Sequence, residues 1–151
     1  MSDMSLAMNP ADREAFLAGA HVAVLGIGAP GGPPLLVPVW YAYRPGGEIV
    51  VLTGRKSVKA RRIRAAGRLG LCVQRETAPY KYVSVEGPVT AFEDRVDAAE
   101  RAALAHRYLP PETARAYLAA TADQLTTDVT VRMRPERWRT ADFASFATAF
   151  S

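Results

Sequence analysis

Ser57 and Lys59 open a basic helix directly after an apolar strand, an arrangement able to hold a phosphate ester. The strand reads Glu48-Ile-Val-Val-Leu-Thr53, and Gly54-Arg-Lys-Ser57-Val58-Lys59 follows it. Free N–H groups of a first helical turn, the partial positive charge there and a lysine ammonium all converge on one spot. A cation at a helix N-terminus is unfavourable unless an anion lies nearby, so Lys59 itself points to a bound anion. Ser57 also suits an N-cap, and the two roles are compatible. Arg62 falls on roughly the same helical side as Lys59, which makes it the best second ligand.

The surrounding charge agrees. Arg55, Lys56, Lys59, Arg61, Arg62, Arg64 and Arg68 crowd into one segment without an acid, in a chain of formal charge +4. One anionic small molecule explains this at least as well as a polynucleotide track, and nucleic acid is the lesser reading. His21 and His106 have no Cys or carboxylate at a recurring ligand spacing, so no metal site is expected. No Gly-x-Ser-x-Gly or catalytic cysteine signature occurs, and no catalytic side chain is assigned.

The elements that must position this turn read mainly as strands. At 151 residues, 49% hydrophobic and 23% charged, the chain is expected to be one globular domain over 1–151. No apolar run approaches a membrane span and the start does not read as a secretory signal. The lone Cys72 fits a reducing cytoplasm and reads as a small buried hydrophobe. Asn9-Pro10 starts a helix that stops at Gly19. Strands are predicted over 21–27, 35–43, 48–53, 69–75, 80–92 and 127–133, with 48–53 returning as the hairpin partner of 35–43. Helices are predicted from Ser57 to about Gly67, over 95–108 with Val96, Ala99, Ala103 and Leu104 on one face, and over 112–122. Pro135 ends the last strand, with Trp138 just beyond. Because Ile49–Leu52 is apolar on both faces, the six strands are expected to close into a small barrel with cover outside.

Within that barrel Pro38 cannot donate a ladder hydrogen bond, so it marks an edge or bulge where neighbouring N–H and C=O groups can address a ligand. Trp40 and Tyr41 point to opposite faces, one to the core and one to a cleft. Gln74 is a candidate for hydrogen bonding a ligand ring.

Three stretches, Val37-Pro-Val-Trp-Tyr-Ala-Tyr43, Leu52-Thr-Gly-Arg-Lys-Ser-Val-Lys-Ala60 and Tyr80-Lys-Tyr-Val-Ser-Val-Glu-Gly87, occur here in an order and spacing that resembles the pyridoxamine 5′-phosphate oxidase-like family. The chain looks closest to its small actinobacterial members, some of which use a deazaflavin coenzyme instead of FMN. The resemblance implies a six-stranded antiparallel split β-barrel of FMN-binding type. It implies that Thr53, Ser57, Val58 and Lys59 grip the phosphate and that the strand from Val37 through Pro38, Val39 and Trp40 to Tyr41 runs along the ring. It also implies a homodimer with cofactor between subunits, where Arg137 and Trp138 reach in from the partner. Ser57 is followed by Val58 where the oxidase itself has an Arg-Lys pair, and the oxidase's C-terminal basic motif is absent. The resemblance therefore implies a flavin (FMN)-binding oxidoreductase acting on some other small molecule. Alternatives on the same fold are a reductase using the deazaflavin coenzyme (F-420) and a noncatalytic flavin- or haem-binding module.

Overall fold

The computed structural model describes residues 5–144. Helix α1 (Pro10–Ala18) begins as the sequence predicts: Asn9 accepts from the Asp12 N–H at 2.8 Å, and Pro10 occupies the first position. Strands β1 (Ala23–Ile27), β2 (Leu35–Val39) and β3 (Ile49–Gly54) precede α2 (Val58–Ala66). Strands β4 (Arg68–Arg75) and β5 (Lys81–Glu93) follow, then α3 (Ala98–Tyr108), α4 (Pro111–Ala120) and α5 (Gln124–Thr127). Strands β6 (Asp128–Met133) and β7 (Arg137–Asp142) complete the described elements. None of the described helices is long and apolar enough to cross a membrane.

All pairings among these strands are antiparallel, in the order β2-β1-β4-β5-β6-β3. The long β5 pairs with β4 along one edge and with two strands along the other. Lys81–Glu86 pairs with β7 and Val89–Glu93 pairs with β6, the second pairing interrupted by a register shift between Val89 and Ala91. Such a bulge bends a strand, and here it curls the sheet into a split barrel. The interior is filled by alternate residues such as Leu25, Val51, Leu71, Val83 and Met133, each at most 1% exposed, with Leu17 of α1 and Ile63 of α2 joining them.

Two expectations need correction. The strand 48–53 does not form a hairpin with 35–43. It pairs with β6, and a single bridge between Ala42 and Val50 joins it to the chain beyond β2. The cause is a long-range contact: the Tyr41 N–H donates to Tyr108 Oη at 3.1 Å, and the Tyr108 hydroxyl lies 2.8 Å from His21 O and 3.1 Å from Tyr41 O. Those groups are thus unavailable to a ladder. The second correction is β7, a strand beyond the six expected. Pro135 interrupts the chain between β6 and β7 without ending the sheet.

Glu14 ties α1 to the turn before β3 by accepting from the Tyr43 hydroxyl and the Gly46 N–H, both at 2.8 Å. These donors, Tyr43 first, hold the Glu14 carboxyl below its ordinary range. Burial, and then the bond to Glu14, push Tyr43 up to about 12. A depressed carboxyl pKa contributes stability above the unfolded value and loses it as pH falls through the folded one. The melting temperature of the wild type should therefore exceed that of Glu14→Gln at neutral pH, with the gap closing in acid. A gap that widened in acid would contradict this account.

Candidate functional site

Lys59, on the first turn of α2, and Pro38, Val39 and Trp40, at the end of β2, line one cavity of about 200 Å³. Residues 21 positions apart meet because β2 lies at the sheet edge while β3 delivers α2 at the barrel's other margin. Tyr41 turns inward and is fully buried, so Trp40 is the member of the pair that faces the cavity. Its indole stacks on Tyr108 at 4.9 Å and 6°, and leans on Tyr117 at 5.4 Å. Leu52 and Leu104 add apolar surface to the same cavity.

The start of α2 carries open donors. Ser57 caps the helix by accepting the Ala60 N–H at 3.1 Å, and its backbone carbonyl takes the Arg61 N–H at 3.2 Å. The N–H groups of Val58 and Lys59 take no acceptor among the described residues, and the first turn contains no acid. Thr53 is 4% exposed and its hydroxyl lies 3.1 Å from that of Ser57. If Thr53 donates, both acceptor positions of Ser57 are filled and the serine proton points outward. In that arrangement Thr53 orients Ser57 from behind. Ser57 opens onto a neighbouring concavity with Arg55, Lys56, Arg61 and Arg64, where Arg55 is already bound to Asp94 at 2.5 Å.

The other sequence candidates lie elsewhere in the chain. Val37 packs against the core, and Arg62 is half-buried one turn beyond Lys59; neither lines the cavity. Gln74 is exposed and shares a groove with Val24, Pro38 and Cys72 on the outer face of β1 and β4. Trp138 lies on β7 beneath Arg13, whose Cζ is 4.5 Å from the ring centroid, and its ring meets Tyr43 edge-on at 6.4 Å.

Sequence reasoning missed Arg101, Tyr117, Gln124 and Asp128, which line the same cavity. The helix face assigned to α3 was rotated: Arg101, Leu104 and Ala105 are buried, while Ala99 and Ala103 are exposed. An arginine at i relative to apolar residues at i+3 and i+4 was the available signal. Burial raises the Asp128 carboxyl above its ordinary range, an effect that the nearby Arg101 charge opposes and Asp123 reinforces.

An F420 reductase is 24% identical over 83% of this chain and 94% of its own, with a TM-score of 0.68. A conserved hypothetical protein from Mycobacterium tuberculosis is 23% identical over 97% and 92%, with a TM-score of 0.71. A FAD-binding protein from Mesorhizobium loti is 20% identical over 88% and 94%, with a TM-score of 0.58. At these identities the likeness is one of fold. No curated protein matches the chain in sequence. The family model described as pyridoxamine 5′-phosphate oxidase matches residues 10–142, a span that runs from the start of α1 through the β3–α2 turn to the end of β7. On that match, and on the split barrel that carries it, the chain belongs to the pyridoxamine 5′-phosphate oxidase family.

Proposed function

We propose that the chain is an oxidoreductase that uses FMN, with the phosphate seated at the start of α2 and the ring along β2. One observation carries this: Lys59 and the Pro38–Trp40 segment line a single cavity beside two unclaimed N–H groups. Family membership and neighbours named for F420 and FAD support a flavin-type cofactor. Such a cofactor, when bound, supplies the hydride or electron chemistry.

The protein's part is to bind and orient. Lys59 and the N–H groups of Val58 and Lys59 neutralise the phosphate, with Ser57 donating its hydroxyl. Edge strand β2 offers backbone groups not claimed by β1, and Trp40, held by Tyr108, limits where a ring can lie. About 200 Å³ is less than the roughly 300–1,000 Å³ of sites that enclose a whole ligand. Much of a tricyclic ring would therefore lie outside the cavity, to be covered by a second copy. The outer sheet face exposes Val22, Val24, Leu36 and Tyr82, apolar surface suited to such a homodimer, in which Arg137 and Trp138 would approach the partner's site. A cytoplasmic setting suits the lone thiol.

Titration with FMN, beside riboflavin as the phosphate-free control, tests the anchor. A charge-assisted hydrogen bond is worth about 1.5–3 kcal/mol, so Lys59→Ala should weaken FMN binding roughly 10- to 100-fold. Riboflavin binding should not change. Equal FMN affinity in both proteins would remove Lys59 from the phosphate site. The concavity with Lys56 and Arg61 favours a second reading, the deazaflavin coenzyme (F-420) with its longer anionic tail. Arg61→Ala should then weaken the deazaflavin and leave FMN alone.

A further inference from the structure

Arg101 is a buried cation without a direct ion pair: Asp128 on the same cavity is near enough to feel its charge but makes no contact with it. The arginine is 6% exposed, and a buried charge normally requires an ionic partner. Its Nη2 contacts only neutral oxygens: Thr121 O at 2.8 Å, Thr121 Oγ1, and Gln124 Oε1 at 3.4 Å. No carboxylate among the described residues reaches ion-pair distance of it. Nε and Nη1 take no protein acceptor, yet neither is sealed away as Arg13 Nε and Arg107 Nε are. Arg101 lines the same cavity of about 200 Å³ as Trp40 and Lys59, at the end bounded by Leu104, Tyr117 and Gln124.

We propose that this end of the cavity is the substrate subsite and that it takes a small planar carboxylic acid, with the carboxylate on Arg101 and the apolar body against Leu104 and Tyr117, leaving Trp40 to the cofactor ring. Thr121 and Gln124 brace the guanidinium from behind, as a preorganised anion site requires. Asp128 on the same cavity reduces the local positive charge. That balance suits a monoanion and disfavours a dianionic phosphate, whose place is at α2. The proposal rests on the oxidoreductase reading for its word "substrate"; the binding itself needs no cofactor.

Calorimetric titration of the whole protein with benzoate, against benzamide as its neutral isostere, is the test. Benzoate should bind the wild type more tightly than benzamide. Arg101→Gln should weaken benzoate at least tenfold and leave benzamide unchanged, whereas Asp128→Asn should tighten benzoate severalfold by removing a repelling charge. Absence of benzoate binding, or equal binding of the two probes, overturns the proposal. Should Arg101→Gln not fold, Asp128→Asn decides alone, and unchanged or weaker benzoate binding overturns it. Parallel titrations with FMN and riboflavin separate the two readings. If Arg101→Gln weakens FMN but not riboflavin, Arg101 is a phosphate ligand and the subsite is wrong. Arg101-dependent benzoate binding in a protein that takes no flavin or deazaflavin would uphold the subsite and remove the oxidoreductase reading. Cofactor binding without benzoate binding would do the reverse.

Discussion

Gly87→Ala is expected to cost about 4 kcal/mol or more, enough to leave much of the protein unfolded. A Cβ at this position would sit 1.8 Å from Arg134 O and 2.9 Å from Arg134 C, with Met133 Sδ at 3.2 Å. Overpacking typically costs about 1–3 kcal/mol where a side chain can swing aside. Here the obstacle is backbone, and it is held in place: the Arg134 N–H donates to Pro88 O at 3.1 Å. Relief would require β5 to part from the end of β6, next to the bulge that curls the sheet. At roughly 2–4 °C per kcal/mol, thermal denaturation should show a fall on the order of 10 °C. Gly26→Ala is the control. Its Cβ would meet Leu36 Cδ2 at 3.5 Å and Gly70 O at 4.0 Å, both ordinary contacts, so a change near or below about 1 kcal/mol is expected. Similar melting temperatures for the two variants would show that the β5–β6 crossing yields more easily than its geometry implies.

Tyr41 separates packing from hydrogen bonding in a second pair of variants. The side chain is fully buried, and its hydroxyl donates to Leu17 O at 2.6 Å, a carbonyl in the last turn of α1. Burial drives the phenol well above its ordinary pKa, so it remains a donor throughout the accessible pH range. Arg107, whose Cζ lies 5.1 Å from the Tyr41 ring, donates to Ala18 O at 2.9 Å and Gly19 O at 2.6 Å. Long-range donors thus satisfy three carbonyls at a helix end that would otherwise be orphaned. Tyr41→Phe should cost about 1–3 kcal/mol by leaving the Leu17 carbonyl short of a partner. Tyr41→Ala should cost about 3–5 kcal/mol, because an aromatic ring is also lost from the core. Chemical denaturation of both variants measures the difference. If Tyr41→Phe were as damaging as Tyr41→Ala, the ring would contribute little and the hydroxyl nearly everything.

Much of this was legible in the chain because local rules set it. Ser57 reads as a cap and serves as one, Pro38 reads as an edge residue and lies on an edge strand, and the Trp40–Tyr41 pair splits between cavity and core. Strand partners were less legible. Nothing in Ile49–Thr53 states that it prefers β6 to its sequence neighbour, since that choice follows from Tyr108 claiming the Tyr41 backbone from far along the chain. β7 was hidden because Arg137-Trp-Arg-Thr-Ala-Asp142 is charged and follows a proline, and its place depends on β5 having an open edge. Arg101 escaped notice for a similar reason. A charged residue on an Ala-rich helix reads as solvated until the packing of α4 and α5 encloses it.

The segment 94–127 leaves the sheet after β5 and returns to β6, although these strands are adjacent partners with Glu93 opposite Thr130. It is therefore an excursion from a hairpin, attached at two neighbouring points. Doubling such a loop adds only about 0.6 kcal/mol of closure entropy. Its helices supply Arg101, Tyr117 and Gln124 to the cavity, whereas the start of α2 belongs to the barrel proper. The architecture is in this sense a socket with an interchangeable cover: a different cover joined at Glu93 and Thr130 would redraw what enters, provided that it kept the Arg107 and Tyr108 contacts to Ala18, Gly19 and Tyr41.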